Sequence, residues 1–351
     1  MNKQKQEKNN KNESKGLFNR MRRHKWRSGI IVFMLFIFLF ILSSMVSMKD
    51  SSPIGQFRSL EGENLYKQAY EDAMELLPNP SRKFDINTDY GTVRIYEFTN
   101  SENPKLAPIV LLPGRSSGVP MWASNLEGLA AERTVIALDA LGDAGMSIQT
   151  HKIENSADQA EWLEQVFDQL ELPKMHLVGH SFGGWLAANY AVDYPDRIVS
   201  LNLLEPVFVF QGLKWQFYIK SIPASIPFLP KSWRDKMLED IGGGYDVDLN
   251  DPIARMIAYA TEYYSIKLSL PDIITKEQLK GLNMPVYAAL AENSILHDSE
   301  AAVNVAKTNV KIIEVKNWLN ASHSLPMEFP KQINQELLDF MSAKEEEEYM
   351  K

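Results

Sequence analysis

Six apolar runs dominate the sequence from Ala107 onward: "APIVLLPG", "TVIALDA", "MHLVGH", "VSLNLLEP", "MPVYAALAEN" and "VKIIEV". They lack the strict alternation that one wet face would impose, and each is followed by a stretch of helical spacing. Strands buried on both faces and separated by helices build a mostly parallel sheet covered on each side, so the pattern predicts an α/β fold and excludes bundles and sandwiches. Upstream, "RKFDINT" and "GTVRIYEFT" do alternate and are joined by Asp89-Tyr90-Gly91, which predicts an antiparallel hairpin. Before the hairpin, "ENLYKQAYEDAMELL" (63–77) sets Leu65, Ala69, Ala73 and Leu76 at helical spacing, and Pro78 ends the helix.

One interval breaks the rhythm. About 75 residues separate the strand at 199–205 from the strand at Val286, far more than an ordinary strand-to-helix connection. The spacing predicts an inserted helical cap over about 207–282 within a domain spanning 61–345. Its segment "VFVFQGLKWQFYIKSIPASIPFLPKSW" is richer in aromatic residues than a small insert needs, so it packs on the domain beneath, lines an apolar pocket or touches lipid. "IGGGYD" (241–246) reads as a hinge or loop inside the cap, and the terminal "AKEEEEYM" as a solvated helix end.

The N-terminal region has a different character. Residues 1–28 hold ten Lys or Arg against Glu7 and Glu13, a net +8, so the remainder carries −16 of the total −8. An acidic main body argues against a nucleic-acid partner. Residues 29–48, "GIIVFMLFIFLFILSSMVSM", are uncharged and long enough for one transmembrane helix. The basic flank should stay cytoplasmic, which places the domain beyond the linker 49–60 outside, at the cell membrane. A cleaved signal peptide is the competing reading, because the strictly apolar core Ile30–Leu42 has h-region length. The chain has no cysteine, which removes disulfides, thiolate nucleophiles and Cys-type zinc sites.

The chemistry centres on "VGHSFGGW" (178–185). A Gly-x-Ser-x-Gly pentapeptide arises by chance about one time in ten in a chain this long, but here it separates an apolar strand from the helical "FGGWLAANYAVDY". That is the context of a nucleophile elbow, where a strained turn exposes the serine and the glycines let strand and helix approach.

With these residues in view, the chain over roughly 60–345 resembles the α/β-hydrolase family with a cap domain. "IVLLPGRSSGVPMW" resembles the family's oxyanion-hole strand and loop, "VIALDALGDAGMS" its strand ending in Asp with a glycine-rich loop, and "NASHSLPMEFPKQINQELLDFM" the segment carrying its histidine. The resemblance implies Ser181 as nucleophile, His323 as its base, and the backbone N–H groups of Arg115 and Phe182 as oxyanion donors. Pro113 stands where the family usually has His. The Arg115 side chain either points to solvent and pairs with a surface acid, or reaches into the pocket to recognise a carboxylate or phosphate.

The family's usual acid position falls on Ser294. Glu205, closing the apolar "LNLL", is the leading candidate in its place, because a protonated His323 would compensate its desolvation. Glu292 or Asp298 through a shifted loop are the alternatives, followed by a dyad or a lost activity. Asp139 is read as a loop organiser, Trp122 and Trp185 as packing residues, and His180 as a strand residue whose side chain points away from the serine. His151, His176 and His297 sit in no motif. No metal-ligand spacing and no phosphate-binding glycine loop occurs, so no cofactor or metal is expected.

The sequence thus predicts a membrane-anchored serine hydrolase acting on small-molecule carboxylic esters, esterase- or lipase-like, with a medium-sized or lipid-like substrate. The alternative is a non-catalytic, receptor-like member that binds a small apolar ligand, for which Ser294 at the acid position is the main support.

Overall fold

The computed structural model describes residues 52–99, 106–217, 231–244 and 247–349. The basic leader 1–28 and the apolar segment 29–48 lie outside the described residues, as does most of the aromatic stretch after Phe217. Among the described residues no helix is long and apolar enough to cross a membrane.

The described chain opens with a two-residue strand, Gln56–Phe57 (β1), and the helix Leu60–Met74 (α1), whose N-terminus is capped by the Ser59 hydroxyl accepting from the Gly62 amide. The expected hairpin follows as Arg82–Thr88 (β2) and Gly91–Phe98 (β3), with Thr88 opposite Gly91. Next come Ile109–Leu112 (β4), Val135–Leu138 (β5), Ile148–Gln149 (β6), Met175–His180 (β7) and Ile198–Leu204 (β8). Tyr264–Ser265 (β9), Val286–Ala291 (β10) and Ile313–Trp318 (β11) complete the strands. The further helices are Ala123–Glu132 (α2), Ser156–Gln169 (α3), Phe182–Asp193 (α4), Lys231–Ile241 (α5), Pro252–Tyr263 (α6), Lys276–Gly281 (α7), Ser299–Asn309 (α8), Leu325–Glu328 (α9) and Pro330–Tyr349 (α10).

The main sheet runs β11-β10-β8-β7-β4-β5-β3-β2, with β6 beside β3. The six strands from β11 to β5 are mutually parallel, and the hairpin adds antiparallel strands at the far edge. Every residue of β4, β5, β7, β8 and β10 is buried, which is why these runs show no alternation. Ile109 and Leu111 join one core layer with Leu126, Ile333 and Leu337, while Val110 and Leu112 join the other with Phe167 and Leu186. The edge strand β11 starts three residues later than the run at Val310 suggests. Val310 instead ends α8, and the strand's half-exposed pattern is that of an edge.

The described part of the insertion after β8 carries the helices α5, α6 and α7 and also β9, which pairs with β1. The expected linker therefore becomes part of the fold from Gln56 onward. Two residues carry too little periodicity to announce a strand. Helix α1 buries Tyr66 and Tyr70, and bonds join its flank to the cap: Arg255 pairs with Asp72 at 2.7 Å, and the Arg58 amide donates to the Tyr263 carbonyl at 2.7 Å. In the expected hinge, Gly243 and Gly244 take left-handed backbone conformations, and Gly243 lies so close to Ser322 that a Cβ would meet it at 2.9 Å.

Candidate active site

Parallel strands deliver the loops at their carboxyl ends to one edge of the sheet, where open α/β sheets place their ligands. The loop after β4, the turn after β7, the end of β8 and the loop after β11 carry Arg115, Ser181, Glu205 and His323 in that order.

Ser181 follows β7 and caps α4 with φ 55° and ψ −118°, a conformation that costs a non-glycine residue about 1–3 kcal/mol. The turn closes because its neighbours lack side chains. A Cβ on Gly179 would lie 2.1 Å from the Gly183 carbonyl oxygen, and one on Gly183 would lie 2.2 Å from that of Leu112. Register then decides who meets the serine. His180 pairs with Leu204, so the Ser181 amide donates to the Leu204 carbonyl at 3.0 Å and Glu205 arrives beside the turn.

Three side chains form one hydrogen-bonded line. His323 Nε2 lies 2.8 Å from Ser181 Oγ, and His323 Nδ1 lies 3.0 Å from Glu205 Oε2. Glu205 is fully buried and sits in a left-handed conformation, φ 47°. Its Oε1 accepts from the Ala291 amide at 2.6 Å, a group supplied by the adjacent strand β10. Burial pushes this carboxyl up, but His297 and His323 beside it outweigh burial and hold it well below the usual carboxylate range. His297 Nε2 lies 3.3 Å from Glu205 Oε1. With Glu205 accepting at Nδ1, the Nε2 lone pair of a neutral His323 faces the serine hydroxyl.

The other candidate acids are elsewhere. Glu292 is exposed and accepts from the Asn320 amide at 3.0 Å, while Asp298 caps α8 by accepting from the Ala301 amide at 3.0 Å. Ser294 is buried, and its carbonyl accepts from Lys214 Nζ at 3.0 Å. Each has a local structural task and none reaches His323.

Phe182 follows Ser181 in the chain, and Arg115 follows Gly114, where a Cβ would lie 3.3 Å from the Ser181 Cβ. The Phe182 amide is at the start of α4 and has no intrahelical acceptor, and among the described residues neither amide donates to a protein group. The loop that carries Arg115 is braced by Asp143, whose carboxylate accepts from the amides of Ser116 at 3.0 Å and Ala144 at 2.7 Å. The Arg115 side chain is partly exposed, lays its guanidinium over the Phe182 ring at 3.7 Å with Nη1 buried, and pairs with no surface acid among the described residues.

His180 also departs from its expected direction. Its ring packs 4.9 Å from that of His323, and its Nε2–H donates to the His323 carbonyl at 2.8 Å, so it fixes the histidine loop. Burial and the neighbouring His323 pull its pKa down to about 3, keeping it neutral. His297 sits in no motif, and the motifs "VGHSFGGW" and "VIALDALGDAGMS" contain His180 and Asp143 without assigning them a role, because each acts through a contact with another loop. The legible sign was an ionisable residue within an apolar or glycine-rich run. Asp139 organises loops: it accepts from the amides of Val119 and Met146 and from the Tyr70 hydroxyl. Trp122 is fully buried packing, and Trp185 stacks on Phe182 and donates to the Asp272 carbonyl in the cap at 2.8 Å.

Known proteins share this arrangement of elements. Residues 107–239 match the family model described as alpha/beta hydrolase fold. Carboxylesterase YbfK of Bacillus subtilis is 28% identical over 294 residues, covering 82% of this chain and 96% of that protein. An uncharacterized carboxylesterase, nap, of the same species is 26% identical over 79% of this chain and 92% of its own length. The crystal structure of carboxylesterase CesB (YbfK) superimposes with a TM-score of 0.73 at 26% identity, covering 80% of this chain and 99% of the other. The order of elements agrees with these matches, and over residues 107–239 the chain is similar to the alpha/beta hydrolase fold family.

Proposed function

We propose that the protein is a carboxylic ester hydrolase that works through Ser181, His323 and Glu205. The observation that carries this reading is the hydrogen-bonded line from Ser181 Oγ through both nitrogens of His323 to the buried Glu205 carboxylate. A serine hydroxyl is a weak nucleophile until a base takes its proton. As Ser181 Oγ attacks the ester carbonyl, His323 Nε2 accepts that proton, and Glu205 stabilises the imidazolium and holds the ring orientation. The amides of Phe182 and Arg115 receive the oxyanion, a contribution of about 3 kcal/mol per donor. Collapse expels the alcohol, protonated by His323, and leaves the acyl group on Ser181. Water, deprotonated by His323, then attacks the acyl-enzyme and releases the acid. The named carboxylesterase relatives support the ester as substrate class. The aromatic character of the cap favours a medium-sized or lipid-like ester. A receptor-like protein needs no carboxylate at His323, so the Glu205 contact favours catalysis over binding alone.

The uncharged segment 29–48 after a basic leader supports a tether at the cell membrane, with the hydrolase domain on the outer side.

A fluorophosphonate probe and p-nitrophenyl butyrate, applied to the full chain in detergent, test the chemistry. The wild type should label and turn over, and Ser181→Ala should do neither. A folded wild type that does neither would overturn the reading. Deletion of 1–48 should move the protein from the membrane fraction to the supernatant. Retention in the membrane would remove the tether.

A further inference from the structure

Arg115 is an unusual residue to find beside a nucleophile. Its guanidinium lies 3.7 Å above the ring of Phe182, the residue that follows Ser181, and Phe182 stacks on Trp185 with the ring planes 25° apart. Nη1 is fully buried without a hydrogen-bond partner. Among the described residues no acceptor bonds the guanidinium and no carboxylate lies within ion-pair distance of it. Asp143 is close enough to be felt as a charge, but its two oxygens are held by the Ser116 and Ala144 amides. A partly buried guanidinium whose Nη1 is shut off from solvent without an acceptor carries a desolvation cost that the Asp143 charge offsets only in part. The Phe182 face offsets part of it through cation–π attraction, yet leaves the in-plane Nη1–H groups without an acceptor. Planar guanidinium forks match carboxylate and phosphate oxygens in pairs.

We propose that the Arg115 side chain is a specificity residue that binds an anionic group, a carboxylate or a phosphate, carried by the ester substrate a few atoms from the carbonyl attacked by Ser181. The inference rests on the reading of Ser181 as nucleophile. It narrows the substrate class from esters in general to acidic esters.

Three esters of similar size test it with the full chain in detergent: neutral ethyl butyrate, ethyl hydrogen succinate with a carboxylate on the acyl side, and 2-phosphoethyl butyrate with a phosphate on the alcohol side. The readout is the ratio of kcat/KM for each acidic ester to that for the neutral one. In the wild type at least one ratio should exceed about ten, the scale of one charge-assisted hydrogen bond. Arg115→Gln should lower that ratio about tenfold or more, and Arg115→Lys should restore part of it. Which ratio responds distinguishes carboxylate from phosphate. Ratios near one in the wild type, or a preference unchanged in Arg115→Gln, would overturn the proposal. Equal losses on all three esters would mean that the guanidinium serves the oxyanion instead, and would overturn it as well. Calorimetric binding of the same esters to Ser181→Ala needs no turnover and so separates the two readings. There an acidic ester should bind about tenfold or more tighter than ethyl butyrate, and equal affinities would refute the anion site even if esterase activity is present.

Discussion

The substitution Glu205→Gln tests the catalytic line most sharply. Glutamine matches glutamate in shape, but one oxygen becomes an NH2 donor. Oε1 accepts from the Ala291 amide at 2.6 Å, so the amide oxygen must stay there, since two donors cannot face each other at that distance. The NH2 group then faces His323 Nδ1, which the carboxylate approaches at 3.0 Å. The imidazole is driven to the tautomer with its proton on Nε2, where it cannot accept the Ser181 proton. The variant also loses the charge that stabilises the imidazolium. At about 4 Å and an effective dielectric of about 20, that attraction is about 4 kcal/mol, or roughly a thousandfold in rate. The tautomer effect adds to this, and removal of the acid's charge in a serine-protease triad costs about 10⁴-fold. We expect kcat for p-nitrophenyl butyrate, and the rate of fluorophosphonate labelling, to fall about 10³- to 10⁴-fold while the circular dichroism spectrum is unchanged. A fall of less than about threefold would refute the assignment of Glu205.

Gly183→Ala places a Cβ 2.2 Å from the Leu112 carbonyl oxygen, so it should destabilise the domain by at least about 3 kcal/mol and abolish labelling; a stable, labelled variant in urea titration would contradict the turn geometry. His180 should make the protein acid-sensitive. Its folded pKa is about 3 against about 6.5 unfolded, so the unfolded chain binds the extra proton and stability is full above about pH 6.5 and falls as pH drops towards 3. Between pH 7.5 and 5 this amounts to about 2 kcal/mol, a loss that His180→Gln should remove from the urea titration; an unchanged pH slope would refute it. Glu345→Gln should cost about 3 kcal/mol, because it leaves Arg133, buried and paired to both Glu345 oxygens at 2.8 and 2.9 Å, without a counter-charge; a loss below about 1 kcal/mol would show the pair to be dispensable.

The sequence alone determined the features set by local chemistry. Runs such as "IVLL" and "VYAALA" are apolar because both of their faces are covered, so the sheet was legible before any contact was known. Gly179 and Gly183 mark the serine turn because only glycine permits such close backbone approach. The hairpin 82–98 was legible because one of its faces alternates.

What tertiary structure decided depends on register and on long-range approach. Nothing in the spacing of Glu205, Glu292 and Asp298 says which lies near residue 323. The pairing of β8 with β7 and β10 brings Glu205 alongside Ser181 and Ala291, while Glu292 and Asp298 turn outward. The placement of the Arg115 guanidinium over the Phe182 ring and the brace from His180 to the His323 carbonyl are likewise invisible in one dimension. A side chain takes its direction from the strands, loops and rings packed around it, and a sequence records its type but not those neighbours.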